Sequence, residues 1–96
     1  MARFKRLIFS EKPVLLFFYA NWCEPCKAFI PKLDAMMETI DLRWVKVNVD
    51  MHKQAALQCQ IKSIPTLILF QKGQELWRHQ GEITSEELKD ILVATI

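Results

Sequence analysis

Two continuous apolar runs stand out along the chain, Val14–Ala20 and Leu67–Phe70. Neither run alternates with polar residues, and this pattern is typical of strands that are covered on both faces of a sheet. A third stretch, Leu42–Asp50, alternates in its centre, with three valines on one side and polar residues on the other. These patterns predict three strands, of which two are buried.

Four stretches have the residue spacing of amphipathic helices. Ala2–Ser10 and Lys53–Gln60 are short, Cys23–Ile40 is the longest, and the fourth begins after Thr84. Thr84 and Glu87 are spaced as a capping box, in which each side chain satisfies a backbone amide of the first turn. The predicted apolar faces comprise Phe29, Ile30, Leu33, Met36, Met37 and Ile40 in the longest helix, and Leu88, Ile91, Leu92 and Thr95 in the last.

Turn residues complete the order of elements. Gln71–Gln74 contains Gly73 and predicts a hairpin turn, after which Glu75–Gln80 returns as an edge strand that ends at Gly81. Alternating strands and helices predict a parallel portion of the sheet, and the final hairpin is antiparallel to it. We predict one α/β domain over residues 1–96, with a central mixed four-stranded sheet and helices on both faces.

Composition narrows the possible partners. The chain is 51% hydrophobic and 25% charged, as globular domains are, and its net charge is only +2. A nucleic-acid or membrane-surface protein would carry a concentrated basic stripe, so we expect neither partner. No apolar run reaches the roughly 18 residues of a membrane span. Signal-peptide cleavage after Ala20 would remove the most strand-like segment, so we expect no cleaved signal peptide.

The three cysteines, Cys23, Cys26 and Cys59, are too few and odd in number for a secreted disulfide framework. They fit a reducing compartment, so we expect a cytoplasmic protein with one reactive pair. We interpret Cys59 as a small buried hydrophobic residue. A regulatory or dimer-forming thiol is the alternative interpretation.

The reactive pair lies in Trp22–Lys27, which reads WCEPCK and stands where a strand passes into a helix. A thiol attacks a disulfide only as the thiolate. Unpaired amides and the helix dipole at a helix N-terminus favour a negative charge, so they lower the pKa of Cys23 and make it the nucleophile. Cys26 lies one turn further along the same helix face and resolves the mixed disulfide.

The neighbouring residues adjust this chemistry. Pro25 stiffens the turn and is tolerated in a first helical turn, Trp22 shields one side of the thiol, and Lys27 adds a positive charge. Glu24 is unusual, because a carboxylate between the cysteines opposes a thiolate on Cys23. It disfavours the reduced form, so we expect Glu24 to make the protein a better reductant, while Lys27 and solvent weaken the effect.

A zinc site is the alternative interpretation of a Cys-x-x-Cys pair. Structural zinc needs four ligands, usually from two such pairs or from one pair and two histidines at short spacing. The remaining candidates, Cys59, His52 and His79, lie far apart in the sequence. We therefore predict no metal site.

Several features recur together from about Lys12 to the end of the chain: the Trp-Cys-x-Pro-Cys-Lys motif, the mid-helix Pro31, Val47–Asp50, Ile64–Thr66, Gly73 and Gly81. In this combination the chain resembles the thioredoxin family. The resemblance implies that the Ile64–Pro65 peptide bond is cis and lies beside the cysteines, where this loop pairs with a substrate chain as a strand would. The substrate surface implied by the resemblance comprises Trp22, Ile64, Pro65 and Gly81.

The chain departs from the family pattern in three places. Glu24 occupies a position that is usually glycine, and Phe17 occupies that of a buried aspartate thought to shuttle a proton to the second cysteine. Proton transfer at Cys26 then needs another route, through water, Glu24 or Lys27. The family's first strand, which precedes the first helix, is expected to be missing, and its absence would leave an edge of the sheet exposed or protected in another way.

Motif and resemblance together predict a protein-disulfide reductase, a thiol–disulfide oxidoreductase that acts through a mixed disulfide with Cys23. Electrons would come from a thioredoxin reductase or an equivalent thiol donor and pass to protein disulfides. We expect a monomer without a bound cofactor. Two alternatives stay open: an oxidase or isomerase with the opposite electron flow, and a binding module in which the thiols matter little.

Overall fold

The computed structural model describes the backbone of residues 2–96 and the side chains of residues 4–96. Helices and strands follow one another in the predicted order, and their boundaries shift by only a few residues. The elements are α1 Ala2–Ile8, β1 Val14–Tyr19, α2 Glu24–Met37, β2 Arg43–Asn48, α3 Lys53–Gln58, β3 Thr66–Gln71, β4 Gln74–Gln80 and α4 Ser85–Thr95. The capping box of Thr84 and Glu87 is confirmed at the start of α4.

The strands form one sheet in the order β2-β1-β3-β4. β1 pairs parallel with β2 and antiparallel with β3, and β3 pairs antiparallel with β4. The predicted mixed four-stranded sheet is therefore confirmed. β1 and β3 are its central strands and are covered on both faces, which explains their unbroken apolar runs.

Two buried clusters lie on opposite faces of the sheet. Side chains alternate along β1, so that Leu15 and Phe17 pack under α2 and α4, while Val14, Leu16 and Phe18 pack under α1 and α3. All five side chains are completely buried. The prediction of helices on both faces is confirmed. The turn between β1 and α2, which carries Cys23, therefore follows a strand that is packed on both faces.

The hairpin between β3 and β4 has a two-residue turn, Lys72 and Gly73, and both residues have positive φ, 54° and 79°. Such turns match the twist of the paired strands. The amide of Lys72 donates to the carbonyl of Ser10 over 2.9 Å, and that of Gly73 donates to the carbonyl of Ile8 over 2.8 Å. The hairpin thus anchors the end of α1, at the end of the sheet away from Tyr19.

One predicted inner-face residue is exposed. Leu88 and Leu92 are completely buried and Ile91 is half-buried, but Thr95 faces solvent, so its assignment to the inner face was wrong. Its Oγ1 donates to the carbonyl of Ile91 over 2.7 Å. Since the helix backbone satisfies this hydroxyl, the residue needs no partner in the core.

The expected open edge is present over the described part of the chain. There, α1 is the first element, and β2 has a neighbouring strand on one side only. Among residues 2–96, none of the helices combines the length and the apolar character that crossing a membrane requires.

Candidate active site

Cys23 is the N-cap of α2, whereas the sequence had indicated that it is the first helical residue. Its backbone is extended, with φ −90° and ψ 103°. The Cys23 Sγ accepts a hydrogen bond from the amide of Cys26 over 3.3 Å. An N-cap side chain normally accepts such a bond from the first turn. A thiolate at this position gains from the same amide and from the helix dipole.

Cys23 and Cys26 form a disulfide, with their Cα atoms 5.3 Å apart. The two residues differ in access, because Cys23 is 6% exposed and Cys26 is completely buried. Pro25 lies between them in the first turn of α2. An incoming sulfur can therefore reach Cys23, whereas Cys26 is open only to a partner already bonded to Cys23.

The carboxylate between the cysteines has a counter-ion. Glu24 Oε1 lies 3.6 Å from Lys27 Nζ, and both side chains are exposed. Solvent and the lysine screen the field of Glu24 at the sulfur of Cys23. The two charged neighbours predicted to act on the thiolate thus also act on each other.

Trp22 forms a hydrogen bond with a residue of the loop that follows β2. Its side chain is 68% exposed, and its Nε1 donates a hydrogen bond to Asp50 Oδ2 over 2.9 Å. The loop that carries Asp50 is ordered in turn by Asn48 at the end of β2. Asn48 Oδ1 accepts hydrogen bonds from the amides of Asp50 and Met51 over 2.9 and 3.3 Å.

Sequence analysis did not assign Asp50 to the site. The available signal was its place just after a strand parallel to β1, since the carboxyl ends of adjacent parallel strands meet at one edge of a sheet. Trp22 also follows β1 closely, so the two loops are neighbours once β2 lies next to β1. That strand pairing and the hydrogen bond itself came from the structure.

The loop before β3 lies beside α2. The Ile64–Pro65 peptide bond is cis, and Pro65 is buried. The amide of Gly81 donates to the carbonyl of Pro65 over 2.8 Å. Pro25, Pro65 and Gly81 line one cleft, so the structure brings together these three residues, while Trp22 and Ile64 lie outside it.

Phe17 lies completely buried in β1, behind the active-site turn. Its ring centroid is 5.9 Å from that of Phe29 and 6.1 Å from that of Tyr19. Among the described residues, the only buried polar or charged side chains are Asn48 and Thr66. Within this part of the chain, therefore, no buried carboxylate accompanies Cys26.

Cys59 is remote from the reactive pair. It packs in the cluster on the other face of the sheet from Cys26 and is 6% exposed. Burial raises the pKa of the Cys59 thiol to about 11, outweighing the opposing effect of Arg78. Over residues 2–96, no three side chains of the metal-binding types cluster at a spacing that would hold a metal ion.

Comparison with known sequences identifies the family to which this chain belongs. The family model described as thioredoxin matches residues 1–94. The chain is 38% identical over 92 residues to thioredoxin from Mycoplasmoides gallisepticum, covering 95% of this chain and 92% of that protein. It is 38% identical over 89 residues to thioredoxin 1 from Chlorobaculum tepidum, covering 91% and 88%. It spans about half the length of the chloroplastic thioredoxin Y1 of Arabidopsis thaliana, with 36% identity over 84 residues.

Solved structures show the same fold. Fasciola hepatica thioredoxin superposes with a TM-score of 0.90 at 26% identity, covering 99% of this chain and 93% of that one. A mutant thioredoxin from Halobacterium salinarum gives the same TM-score at 27% identity, covering 99% and 84%. The chain belongs to the thioredoxin family and is a thiol–disulfide oxidoreductase whose redox-active pair is Cys23 and Cys26.

Proposed function

We propose that this protein is a cytoplasmic reductase of protein disulfides, acting as a monomeric single domain over residues 1–96. The observation that carries the proposal is the unequal placement of the two sulfurs. Cys23 caps α2 and keeps a 6% exposed fraction, whereas Cys26 lies completely buried one turn behind it. This order suits a nucleophile that meets the substrate first and a second thiol that acts only within the mixed disulfide.

In the first step the Cys23 thiolate attacks one sulfur of the substrate disulfide. The new bond joins Cys23 Sγ to that sulfur, the substrate S–S bond breaks, and the second substrate sulfur leaves as a thiolate that takes up a proton. The Cys26 amide, which lies 3.3 Å from Cys23 Sγ, stabilises the attacking thiolate. Trp22, Ile64, Pro65 and Gly81 form the surface on which the substrate chain lies.

In the second step Cys26 loses its proton and attacks Cys23 Sγ. The protein disulfide forms, the mixed disulfide breaks, and the other substrate thiol is released, so two electrons have passed to the substrate. This step is intramolecular because Cys26 and the mixed disulfide belong to one chain, and the Cα separation of 5.3 Å makes it fast relative to attack by a second molecule. Because Phe17 occupies the position of the family's buried aspartate, the proton of Cys26 leaves through water, Glu24 or Lys27.

The oxidised protein is returned to the dithiol by a thioredoxin reductase or an equivalent thiol donor, with no cofactor bound to this chain. The acidic residue between the cysteines supports the reducing direction over an oxidase or isomerase. Glu24 opposes the negative charge of a Cys23 thiolate, which favours the disulfide form of this protein and hence electron donation. The intact cysteine pair argues against a pure binding module.

The test combines insulin-disulfide reduction, coupled to a thioredoxin reductase, with a redox titration against glutathione. We expect catalysis by the wild type, none by Cys23→Ser, and a trapped mixed disulfide with Cys26→Ser. Cys59→Ser is the matched control and should behave as wild type. Catalysis that survives in Cys23→Ser would refute the reductase. A redox potential near the oxidising end of the range, at about −120 mV, would identify an oxidase instead.

A further inference from the structure

A cleft of about 80 Å³ opens beside the disulfide, between α2 and the connection from β4 to α4. We call it the side cleft. Pro25, Pro65 and Gly81 line it, and Pro25 directly precedes Cys26, so the side cleft begins at the active-site turn. Its other walls include the apolar side chains of Phe29 and Ile83.

The volume of the side cleft limits what it can hold. A water molecule needs about 10–15 Å³ of such space, and a cavity of about 150 Å³ holds a benzene ring. At about 80 Å³, the partly open side cleft matches a branched aliphatic side chain better than the larger aromatic ring. Its charged lining residues, Lys32 and Glu82, have opposite signs, so the side cleft does not select a charged group.

The position of the side cleft indicates its occupant. Two of its lining residues, Pro65 and Gly81, belong to the proposed substrate surface, so the side cleft continues that surface away from Cys23. A substrate chain bonded to Cys23 and lying along this surface in extended form places a side chain every ~3.3 Å, alternately on its two sides. One of the residues close to the attacked cysteine is thereby directed at the side cleft.

On the basis of the proposed function, we infer that the side cleft is a specificity pocket for an aliphatic side chain close in sequence to the substrate cysteine. The preferred substrates are then proteins whose reactive cysteine has valine, leucine, isoleucine or methionine within about three residues, the reach of an extended chain. Discrimination by a single apolar side chain in a partly open pocket amounts to about tenfold in kcat/KM.

The test uses disulfide-linked peptides that carry alanine at every position flanking the cysteine, except one. That position holds alanine, leucine or tryptophan, and it is moved along the peptide in turn. At one position we expect kcat/KM for leucine to exceed that for alanine by about tenfold, and tryptophan to lose this gain. If all peptides are reduced at equal rates, the side cleft is not a specificity pocket, while the proposed reductase activity still holds. If no peptide is reduced, the proposed function has failed and the inference with it.

Two variants of α2 show whether any preference arises in the side cleft. Ala28→Leu narrows it from the helix, whereas Ala35→Leu makes the same change at an exposed position of α2 outside it. Both substitutions keep a strong helix former, so we expect both variants to fold. The leucine-to-alanine ratio should fall close to one in Ala28→Leu and stay at the wild-type value in Ala35→Leu. An unchanged ratio in Ala28→Leu would contradict the assignment.

Discussion

The indole Nε1 of Trp22 donates a hydrogen bond to Oδ2 of Asp50 over 2.9 Å, joining two residues that are 28 positions apart. The bond connects the residue before Cys23 to the loop after β2, which Asn48 orders from its buried position. Because the ring of Trp22 is 68% exposed, packing alone restrains it little. Asp50 therefore restrains the orientation of the aromatic side chain that directly precedes Cys23 in the sequence.

Asp50→Ala should release the indole of Trp22 and lower kcat/KM for protein disulfides by about two- to tenfold, the effect of losing one hydrogen bond. Insulin reduction measures the rate, and tryptophan fluorescence reports the freed ring. Asp50→Asn retains an acceptor oxygen and should stay close to wild type. In a Trp22→Phe background, Asp50→Ala should have no further effect. Equal losses in both backgrounds would show that Asp50 acts by another route.

Glu24→Gln removes the carboxylate between the cysteines. We expect the pKa of the Cys23 thiol to fall and the protein to become a weaker reductant, because the thiolate loses an unfavourable neighbour. The change in the equilibrium constant with glutathione should stay below about fivefold, since Glu24 is exposed and lies 3.6 Å from Lys27. Lys27→Gln should shift both quantities in the opposite direction, and salt should shrink both effects. No change in either quantity would contradict the role of Glu24.

The pH dependence of thiol–disulfide exchange should lack the titration of a buried acid. Phe17 is completely buried among aromatic rings, so the rate of insulin reduction should follow the ionisation of Cys23 alone. The pH profile of the wild type measures this, and a second inflection would contradict it. Phe17→Asp, if circular dichroism shows it folded, should add such an inflection. Phe17→Leu, which adds no acid, should not.

Cys59 should resist alkylation. Burial raises the pKa of its thiol to about 11, so little thiolate forms near pH 8, and iodoacetamide should label Cys23 of the reduced protein first. Mass spectrometry after brief labelling identifies the modified residues. Rapid labelling of Cys59 in the folded protein at pH 8 would contradict its burial.

The same shift predicts how stability depends on pH. Below the ordinary pKa of 9.0, the Cys59 thiol is neutral in both the folded and the unfolded chain. Between pH 9.0 and about 11, Cys59 loses its proton in the unfolded chain and keeps it in the folded chain. The free energy of unfolding therefore falls as pH rises. Cys59→Ala should show a smaller fall over this interval in urea denaturation. An identical fall would assign it to other groups.

Gly73→Ala should destabilise the protein by about 1–3 kcal/mol, measured by urea denaturation. Its φ of 79° disfavours a side chain, and an added Cβ would meet the ring of Phe9. Gly81→Ala is the matched control, because its φ of 93° carries a similar backbone cost while nothing lies within 4 Å of the added carbon. We expect Gly81→Ala to cost less. Equal losses of unfolding free energy in the two variants would show that displacing Phe9 does not destabilise the protein.

The sequence alone predicted the order of helices and strands, because hydrophobic period and caps are local properties. The capping box of Thr84 and Glu87 illustrates this, since both partners lie within one helical turn. The sequence alone also located the reactive pair, Cys23 and Cys26. Cys23 stands where the apolar run of β1 has ended and the spacing of α2 begins, and a cysteine there meets the free amides of a helix whatever the rest of the fold.

Tertiary structure decided everything that joins distant parts of the chain. Periodicity does not specify which loop meets Trp22, so Asp50 went unassigned until β2 was seen beside β1. It does not show that Thr95 lies past the packed part of α4, nor that Phe9 covers Gly73. The side cleft likewise exists only because α2 and the β4–α4 connection close on Pro65. These relationships depend on three-dimensional packing between residues far apart in sequence, which leaves little trace in any one segment.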